Sequence, residues 1–224
     1  MREKILICWS GGKDSSLALQ AVLQDPTLEV AALITTVTEG YERISMHGVR
    51  RALLHQQTKN LGFPLEEIRI PIGCVNAAYE EAMRRLLTRY QTQGVSRVVF
   101  GDLFLTDIRQ YREKNLEQLE MTGIWPLWLK DTKKLAQDFI RMGFRAILVC
   151  IDPKQIDPSF CGREFDASLL QDLPASADPC GENGEFHTFV YDGPIFREPI
   201  RVVKGEVVQR DGFWFCDLLP FSSV

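Results

Sequence analysis

The chain of 224 residues carries 26 Lys and Arg against 30 Asp and Glu, a formal net charge of −4, and 45% of its residues are hydrophobic. This composition excludes an intrinsically disordered chain and gives no overall positive field that would attract nucleic acid. The length predicts either one large domain or a standard domain with a smaller companion.

Composition also bears on the cell compartment and on metal binding. No apolar stretch approaches the ~20 residues of a membrane-spanning helix, and the run Ile5–Trp9 is too short for a secretion signal. The cysteines and histidines are Cys8, Cys74, Cys150, Cys161, Cys180 and Cys216, with His47, His55 and His187. They contain no CxxC pair and no zinc-ligand spacing, which predicts a cytoplasmic protein without disulfides or a dedicated zinc site.

Short apolar runs alternate with segments of helical period between about residues 4 and 151. The predicted strands are Ile5–Trp9, Val30–Thr36, Glu67–Ile72, Arg97–Phe100 and Ala146–Ile151. The predicted helices are Ser15–Gln24, Gly48–Asn60, a segment capped by Asn76 and ending at Gly94, Ile108–Met121 and Thr132–Met142. This alternation is typical of crossover units and a mostly parallel sheet.

The last third of the chain differs, because prolines interrupt it and only Ala167–Leu173, capped by Asp166, has the pattern of a helix. The strand-like runs there are Phe186–Tyr191, Ile200–Val203, Val207–Gln209 and Phe213–Leu218. Lys-Gly at 204–205 and Asp-Gly at 211–212 predict tight hairpin turns. We therefore expect an α/β fold, with a parallel layer first and a smaller, antiparallel-rich α+β part second.

The clearest motif lies between the first predicted strand and the first predicted helix. It reads Ser10-Gly11-Gly12-Lys13-Asp14-Ser15-Ser16. Glycines let backbone N–H groups approach a ligand, the helix N-terminus adds partial positive charge, and Lys13 and the hydroxyls add donors. The spacing matches neither a Walker A loop nor the GxGxxG fingerprint. The motif therefore predicts a phosphate-binding loop of another type.

A second candidate site follows the fourth predicted strand. Gly101 and Asp102 lie at the carboxyl end of that strand, where open α/β sheets bind ligands. Asp102 could bind magnesium or orient a substrate, or could simply cap the next helix. Arg109 and Arg112 on that helix could bind phosphate or carboxylate, or remain solvated surface charges.

A third candidate site is the polar segment 180–188, which reads Cys-Gly-Glu-Asn-Gly-Glu-Phe-His-Thr and enters a predicted strand. Glu182 and Glu185 could converge from the loop and the strand end. Paired carboxylates can accept protons from a nitrogen nucleophile, hold an ammonium ion or coordinate magnesium. An ordinary polar turn is the alternative.

The string at 10–15 resembles the SGGxDS signature of PP-loop ATP pyrophosphatases, in the adenine nucleotide alpha hydrolase superfamily. Segments 101–128 and 181–196 extend the resemblance, over essentially the whole chain, to the diphthine–ammonia ligase family. That resemblance implies a Rossmann-like, HUP-type nucleotide domain over residues 1–129 and a substrate-binding C-terminal domain over residues 130–224. It also implies an amide ligase that adenylates the carboxylate of diphthine on elongation factor 2 and then lets ammonia displace AMP.

The resemblance also implies a role for each motif. The expected ATP-binding residues are Ser10, Gly11, Gly12, Lys13, Asp14, Ser15 and Gly101, with Ile34 and Thr35 as adenine contacts. The expected catalytic residues are Lys13, Asp14, Asp102, Glu182 and Glu185. The candidate substrate contacts are Arg109, Asn183, His187 and Thr188. Mg²⁺ is expected to accompany ATP, with Asp14 and Asp102 as candidate ligands. Relatives commonly have Gly at the position of Asn183 and Glu at that of His187, which bears on the acceptor pocket.

Two other functions stay open. One is a PP-loop enzyme that modifies tRNA or transfers sulfur, against which stand the acidic balance, the lack of a basic and aromatic stripe and the lack of a CxxC pair. The other is a regulatory module that binds ATP or AMP without turnover. The acceptor is open too: elongation factor 2 in an archaeal or eukaryotic cell, but another carboxylate, such as a small metabolite, in a bacterium, since bacteria lack diphthamide. Self-association into a homo-oligomer is also left open.

Overall fold

The structure is a computed structural model that describes residues 2–45, 47–73 and 76–221, apart from the side chain of Asn76. The cap predicted at Asn76 and the thiol of Cys74 therefore lie outside the described residues. Strands in these ranges are β1 (Glu3–Cys8), β2 (Leu28–Thr38), β3 (Arg43–Ile44), β4 (Leu65–Ile70), β5 (Arg97–Val99), β6 (Thr122–Ile124), β7 (Arg145–Ile151), β8 (Phe186–Asp192), β9 (Val202–Arg210) and β10 (Phe213–Pro220). Helices are α1 (Lys13–Leu23), α2 (Arg51–Leu61), α3 (Asn76–Gln91), α4 (Thr106–Glu117), α5 (Thr132–Arg141) and α6 (Ala167–Asp172).

Every helix predicted from the sequence is present, with ends within four residues of those predicted. The cap predicted for the last helix is confirmed, because the Asp166 carboxylate accepts a 2.8 Å hydrogen bond from the Leu169 amide. No helix in the described part of the chain is both long enough and apolar enough to cross a membrane.

The first sheet has five parallel strands in the order β4-β2-β1-β5-β6, and β3 pairs antiparallel with the end of β2. Numbered along the chain, the parallel strands follow the order 3-2-1-4-5, as in a Rossmann fold. The order reverses between β1 and β5. The loops that follow these two strands therefore meet at the crevice where such sheets bind ligands, and the predicted α/β class is confirmed.

The central strand β1 is buried on both faces. Ile5 and Ile7 point into the larger hydrophobic core, which includes residues of α1 and α2, whereas Leu6 points into a smaller core against α3 and α4. Alternate side chains of a strand face opposite sides of the sheet, so two layers of helices cover this sheet.

The second sheet has the order β8-β7-β10-β9, and all its neighbours are antiparallel. The prediction that Ala146–Ile151 continues the parallel sheet is therefore wrong, because β7 lies in the second sheet. All six of these residues are buried. A strand of this kind suits the interior of either sheet, and its apolar run alone does not identify its partner.

The C-terminal hairpin confirms one predicted turn and contradicts the other. Asp211 and Gly212 have φ values of 49° and 86° and connect β9 to β10, as expected for a two-residue turn. The turn predicted at 204–205 is wrong, because Gly205 lies inside the continuous strand β9. A Cβ at Gly205 would lie 3.1 Å from the carbonyl oxygen of Asp217 on β10, so the glycine permits close strand approach instead of a turn.

The larger core runs without interruption from the first sheet into the second. It contains Ile5 and Ile7 of β1, Phe139 of α5, Leu148 of β7 and Phe189 of β8, all essentially inaccessible to solvent. The two sheets consequently share one hydrophobic interior. The division at residues 129 and 130 stays a prediction.

Candidate functional site

A cleft of about 590 Å³ lies beyond the carboxyl ends of β1 and β5. The structure brings most of the candidate residues together along it. Those that line it are Ser10, Gly12, Lys13, Asp14, Ser15, Ile34, Thr35, Gly101, Asp102, Glu182, His187 and Thr188. Gly11, Arg109, Asn183 and Glu185 do not line it. Three motifs far apart in sequence thus meet in one place, as expected for a site at the switch point of the sheet.

A buried glutamine of α2 fixes the loop that follows β1. Gln57 donates hydrogen bonds to the carbonyl oxygens of Gly11 (2.9 Å) and Val190 (2.6 Å), and its Oε1 accepts one from Trp9 Nε1 (3.2 Å). The Gly11 carbonyl also accepts a 2.9 Å bond from the amide of Val190 in β8. Gly11 has a φ of +77°, and a Cβ there would lie 2.5 Å from Gln57 Oε1. The loop conformation therefore requires glycine at this position.

Sequence reasoning missed Gln57, although a signal was present. Leu53, Leu54 and Leu61 recur at helical spacing and are buried on one side of α2, and Gln57 lies on the same side. A glutamine within an apolar stripe must find buried hydrogen-bond partners. That requirement marks it as a structural or functional residue.

The loop is also attached to the second sheet at its next two residues. The amide of Lys13 donates a 3.0 Å hydrogen bond to Thr188 Oγ1, and a Cβ at Gly12 would lie 2.9 Å from the Thr188 carbonyl oxygen. The hydroxyls of Ser15 and Ser16 both donate to the Gly12 carbonyl oxygen at 2.9 Å. β8 therefore lies directly against the start of α1.

The Lys13 side chain is buried and ion-paired. Its Nζ lies 2.8 Å from each carboxylate oxygen of Asp14 and also donates to the carbonyl oxygen of Cys180. Burial lowers the pKa of Lys13, but the charge of Asp14 and these contacts outweigh it, so the pKa is raised above its ordinary value. Burial raises the pKa of Asp14, and Lys13 opposes that rise. Lys13 is therefore a fixed cation at the base of the cleft.

Two backbone donors in the first turn of α1 have no partner in another residue. Within the described residues, the amide of Ser15 has no hydrogen-bond acceptor, and that of Asp14 points only to its own carboxylate, as is usual for the first turn of a helix. Gly101 packs on this turn, since a Cβ there would lie 3.0 Å from the Asp14 carbonyl carbon and 3.1 Å from the Ser15 nitrogen. Free amides, a helix N-terminus and a buried lysine together suit an anion.

Thr35 provides a second unsatisfied group. Its hydroxyl, in the second half of β2, is buried and has no hydrogen-bond partner among the described residues, and the side chain lines the cleft. An unpaired buried hydroxyl costs about 1–3 kcal/mol. A polar ligand in the cleft could remove that cost. The carbonyl oxygen of the neighbouring Ile34, by contrast, already accepts a 2.7 Å hydrogen bond from the Trp9 amide.

Asp102 is held by two partners. Its carboxylate pairs with Arg112 at 2.8 Å and accepts a 3.2 Å hydrogen bond from Trp125 Nε1. No cluster of three His, Cys, Asp or Glu side chains suited to a metal ion occurs in the part of the chain that the structure describes. The side chains alone therefore do not build a metal site around Asp14 and Asp102.

Arg109 lies outside the cleft, contrary to the expected substrate contact. Its guanidinium lies over the rings of both Trp125 (4.5 Å) and Trp128 (4.7 Å) and pairs with Glu113 at 2.8 Å. The guanidinium is thus engaged by two aromatic rings and a carboxylate. Arg112, one turn further along α4, is the arginine that lines the cleft.

Glu182 connects the C-terminal part of the chain to the loop after β5. Its Oε1 accepts hydrogen bonds from the amides of Leu103 (2.6 Å) and Phe104 (3.3 Å). Burial raises the pKa of Glu182 to about 7, and the charge of Asp14 acts in the same direction. The cleft thus contains a carboxyl group that changes its protonation near neutral pH.

Glu185 does not converge with Glu182, which corrects the expectation of paired carboxylates. It is 1% exposed and accepts hydrogen bonds from the amide of Asp178 (2.7 Å) and from the amide and side chain of Asn183 (3.0 and 3.1 Å). All these partners lie in its own loop. The geometry favours a structural role for Glu185, and its catalytic role stays a prediction.

Two histidines lie together in the lining of the cleft. The rings of His47 and His187 have centroids 4.4 Å apart. Burial lowers the pKa of His47 to about 4 and that of His187 well below its ordinary value. Both imidazoles are therefore neutral at physiological pH.

Comparison with known proteins agrees with this architecture. The family model of the diphthamide synthase N-terminal domain matches residues 3–122, and that of the C-terminal domain matches residues 131–219. Curated diphthine–ammonia ligases of Schizosaccharomyces pombe, Mus musculus and Homo sapiens are 29%, 25% and 24% identical over 144, 179 and 177 residues. These alignments cover 62%, 77% and 76% of this chain.

The same alignments cover 24%, 67% and 66% of the three relatives, so the chain spans between about a quarter and two thirds of their lengths. The N-terminal model alone accounts for more than half of the chain, and the C-terminal model covers most of the rest. This chain therefore belongs to the diphthamide synthase family.

Proposed function

We propose that the protein is an ATP-dependent ligase that adenylates a carboxylate and amidates it with ammonia, releasing AMP and pyrophosphate. The observation that carries this proposal is the meeting of Lys13, the first-turn amides of α1 and Glu182 in a single cleft. Family membership supports the proposal, because the curated relatives are named diphthine–ammonia ligases. We propose a diphthine-like carboxylate as the acceptor.

The unsatisfied polar groups of the cleft fit ATP. The amides of Asp14 and Ser15, with Lys13 beside them, would hold the phosphates at the N-terminus of α1. The unpaired hydroxyl of Thr35, in the neighbouring strand β2, would bond the adenine or the ribose. Ser10, Gly11, Gly12 and Gly101 would contribute by shaping the loop.

Mg²⁺, when bound, would neutralise phosphate charge during the reaction. Asp14 and Asp102 remain the proposed protein ligands. Both carboxylates are already paired, with Lys13 and Arg112. Phosphate oxygens and water would therefore have to supply most of the coordination sphere.

The first reaction joins the acceptor to AMP. A carboxylate oxygen of the acceptor attacks the α-phosphorus, the bond to the β-phosphate oxygen breaks, and pyrophosphate leaves with the additional negative charge. Lys13 and the loop amides stabilise that charge where it develops. The acceptor carbonyl carbon then carries AMP, a good leaving group.

The second reaction forms the amide. The lone pair of ammonia attacks the activated carbonyl carbon, the carbon–oxygen bond to AMP breaks, and the nitrogen loses one proton. Glu182 is the proposed acceptor of this proton, because it lines the cleft and its pKa is raised to about 7 by burial. A base whose pKa lies near the working pH is suited to this step.

The test is a product assay with purified protein, ATP, Mg²⁺, ammonium and elongation factor 2 bearing diphthine. AMP and pyrophosphate are expected in a 1:1 ratio with the amide. Lys13→Met should abolish the activity, whereas the matched variant Lys133→Met, at an exposed position of α5, should retain it. Release of ADP and phosphate would contradict the proposal, and ATP binding with no product for any carboxylate would indicate the regulatory module instead.

A further inference from the structure

A pocket of about 220 Å³ lies between α3 and α4. Leu87 of α3, Val98 of β5 and Leu116 of α4 line its interior, and all three belong to the smaller hydrophobic core. That core covers the face of the first sheet opposite the core shared with the second sheet. An apolar interior excludes ions, whereas a pocket of this volume has room for small neutral molecules.

This α3–α4 pocket adjoins the cleft. Five residues line both spaces, namely Cys8, Tyr79, Met83, Phe100 and Arg112. Cys8 ends β1 and Phe100 directly follows β5, so the boundary between the two spaces lies at the switch point of the first sheet. Met83 has an unbranched side chain that adapts easily to its surroundings. A small molecule in the pocket is therefore separated from the cleft by side chains alone.

The solvent side of the pocket carries carboxylates. Glu80 and Glu81 line it beside the exposed side chains of Arg84 and Tyr111. The Tyr111 hydroxyl donates a 2.8 Å hydrogen bond to Glu80, which connects α4 to α3 across the pocket. Glu81 pairs with Arg84 at 2.8 Å, whereas no ion pair between described residues includes Glu80. The charge of Glu80 therefore remains available to attract a small cation.

The proposed reaction gives this arrangement a use. Ammonia is the last of three reactants, and it attacks only after ATP and the acceptor have already met in the cleft. Both of those molecules are much larger than ammonia and would cover the open side of the cleft. An entrance from the opposite face of the sheet would leave them in place.

We propose that the α3–α4 pocket is the route by which ammonia enters the cleft. An ammonium ion is attracted to the carboxylate of Glu80 and gives its proton to bulk water. The neutral ammonia then passes the apolar side chains of Leu87 and Val98 and enters the cleft beside Cys8. This inference rests on the proposed function, because only that function makes ammonia a substrate.

Two neighbouring alanines in the first turn of α3 provide a matched test. Both are exposed, but Ala77 lines the α3–α4 pocket and Ala78 does not. Ala77→Phe should obstruct the pocket, and Ala78→Phe adds the same bulk outside it. ATP affinity, measured by calorimetry, should stay within twofold of the wild type in both variants, which shows that the cleft is intact.

Cys8 reports on the passage without any turnover. With saturating ATP in the cleft, a small thiol reagent should reach Cys8 through the α3–α4 pocket. Burial raises the pKa of Cys8 to about 11, so labelling with methyl methanethiosulfonate is run at pH 9 and followed by mass spectrometry of the Cys8 peptide. Wild type and Ala78→Phe should be labelled at the same rate, and Ala77→Phe at least fivefold more slowly. No labelling of the wild type, or one rate for all three proteins, would overturn the inference.

The product assay with diphthine-bearing elongation factor 2 applies the same comparison to ammonia. In Ala77→Phe the KM for ammonium should rise at least fivefold while the KM for ATP is unchanged, and Ala78→Phe should match the wild type. If all three proteins form AMP and amide with the same KM for ammonium, the route is wrong and the proposed function stands. If the wild type forms no AMP with any carboxylate, the proposed function fails, and the assignment of the pocket to ammonia fails with it even where Cys8 is labelled as expected.

Discussion

The backbone amide of Lys13 and the hydroxyl of Thr188, 175 positions apart in the sequence, form a buried 3.0 Å hydrogen bond. The Thr188 carbonyl oxygen also occupies the space that a side chain at Gly12 would need. The loop between β1 and α1 is therefore shaped by β8 of the second sheet as well as by β1, from which it emerges.

Thr188→Val should weaken both the fold and ATP binding. Valine has the same shape but cannot accept a hydrogen bond, so the buried amide of Lys13 loses its partner, at a cost of about 1–3 kcal/mol. Thr188→Ser keeps the hydroxyl and should bind ATP nearly as the wild type does. Urea unfolding and calorimetric titration with ATP measure the two effects, and equal behaviour of the two variants would show that the bond is unimportant.

Gln57→Leu should destabilise the protein by on the order of 2–4 kcal/mol, because it removes the side-chain partner of the Val190 carbonyl and of the Trp9 indole, and one of the two hydrogen bonds to the Gly11 carbonyl. Gln56→Leu, at an exposed neighbour on α2, is the matched control and should change the free energy of unfolding by less than about 0.5 kcal/mol. Similar losses of stability in both variants would mean that the hydrogen bonds of Gln57 do not stabilise the protein.

Gly11→Ala should cost more than Gly94→Ala. Both glycines have positive φ values, +77° and +83°, so both substitutions carry backbone strain of about 1–2 kcal/mol. A Cβ at Gly94 meets nothing within 4 Å, whereas one at Gly11 meets Gln57 Oε1 at 2.5 Å. Thermal unfolding should show the larger loss for Gly11→Ala, and only this variant should lose ATP affinity.

Glu182 should make stability depend on pH. Its pKa is raised by burial from 4.5 to about 7, so between these values the unfolded chain releases the proton while the folded protein retains it. The free energy of unfolding therefore falls as the pH rises through this window, by at most about 3 kcal/mol. In Glu182→Gln this contribution is absent, so urea unfolding at pH 4.5 and pH 8 should show a smaller decrease than in the wild type. An equal decrease in both proteins would contradict the raised pKa.

Arg109→Lys should lower stability without affecting substrate binding. Lysine lacks the flat guanidinium that contacts the rings of Trp125 and Trp128, and such contacts contribute about 0.5–1 kcal/mol at exposed sites. Arg141→Lys, at a position where the arginine side chain is 75% exposed, controls for loss of a surface guanidinium. A raised KM for ATP or for the acceptor in Arg109→Lys, but not in Arg141→Lys, would show that Arg109 takes part in substrate binding.

Local patterns explain what could be predicted from the sequence. The loop between β1 and α1 depends on a strand, two glycines and a helix N-terminus that are adjacent in the chain, so its position in the fold was predictable. The Asp-Gly turn at 211–212 was predictable for the same reason, because both positive φ values belong to the turn itself.

Contacts between distant segments explain what could not be predicted. β7 joins the second sheet because its partners, β8 and β10, begin 35 or more residues later, and its own apolar residues do not identify them. Gly205 lies inside a strand because Asp217 passes close to it. An arginine such as Arg109 is a residue type that often binds phosphate, but in the structure its guanidinium contacts two tryptophans of the following segment, outside the cleft.

The hydrophobic core that extends from Ile7 in β1 to Phe189 in β8 has a thermodynamic consequence. Side chains of both sheets lose their packing together, so the two halves should melt in one cooperative transition. A ligand that binds the loop between β1 and α1 would then raise the melting temperature of the C-terminal hairpin as much as that of the loop, by mass action on a common equilibrium.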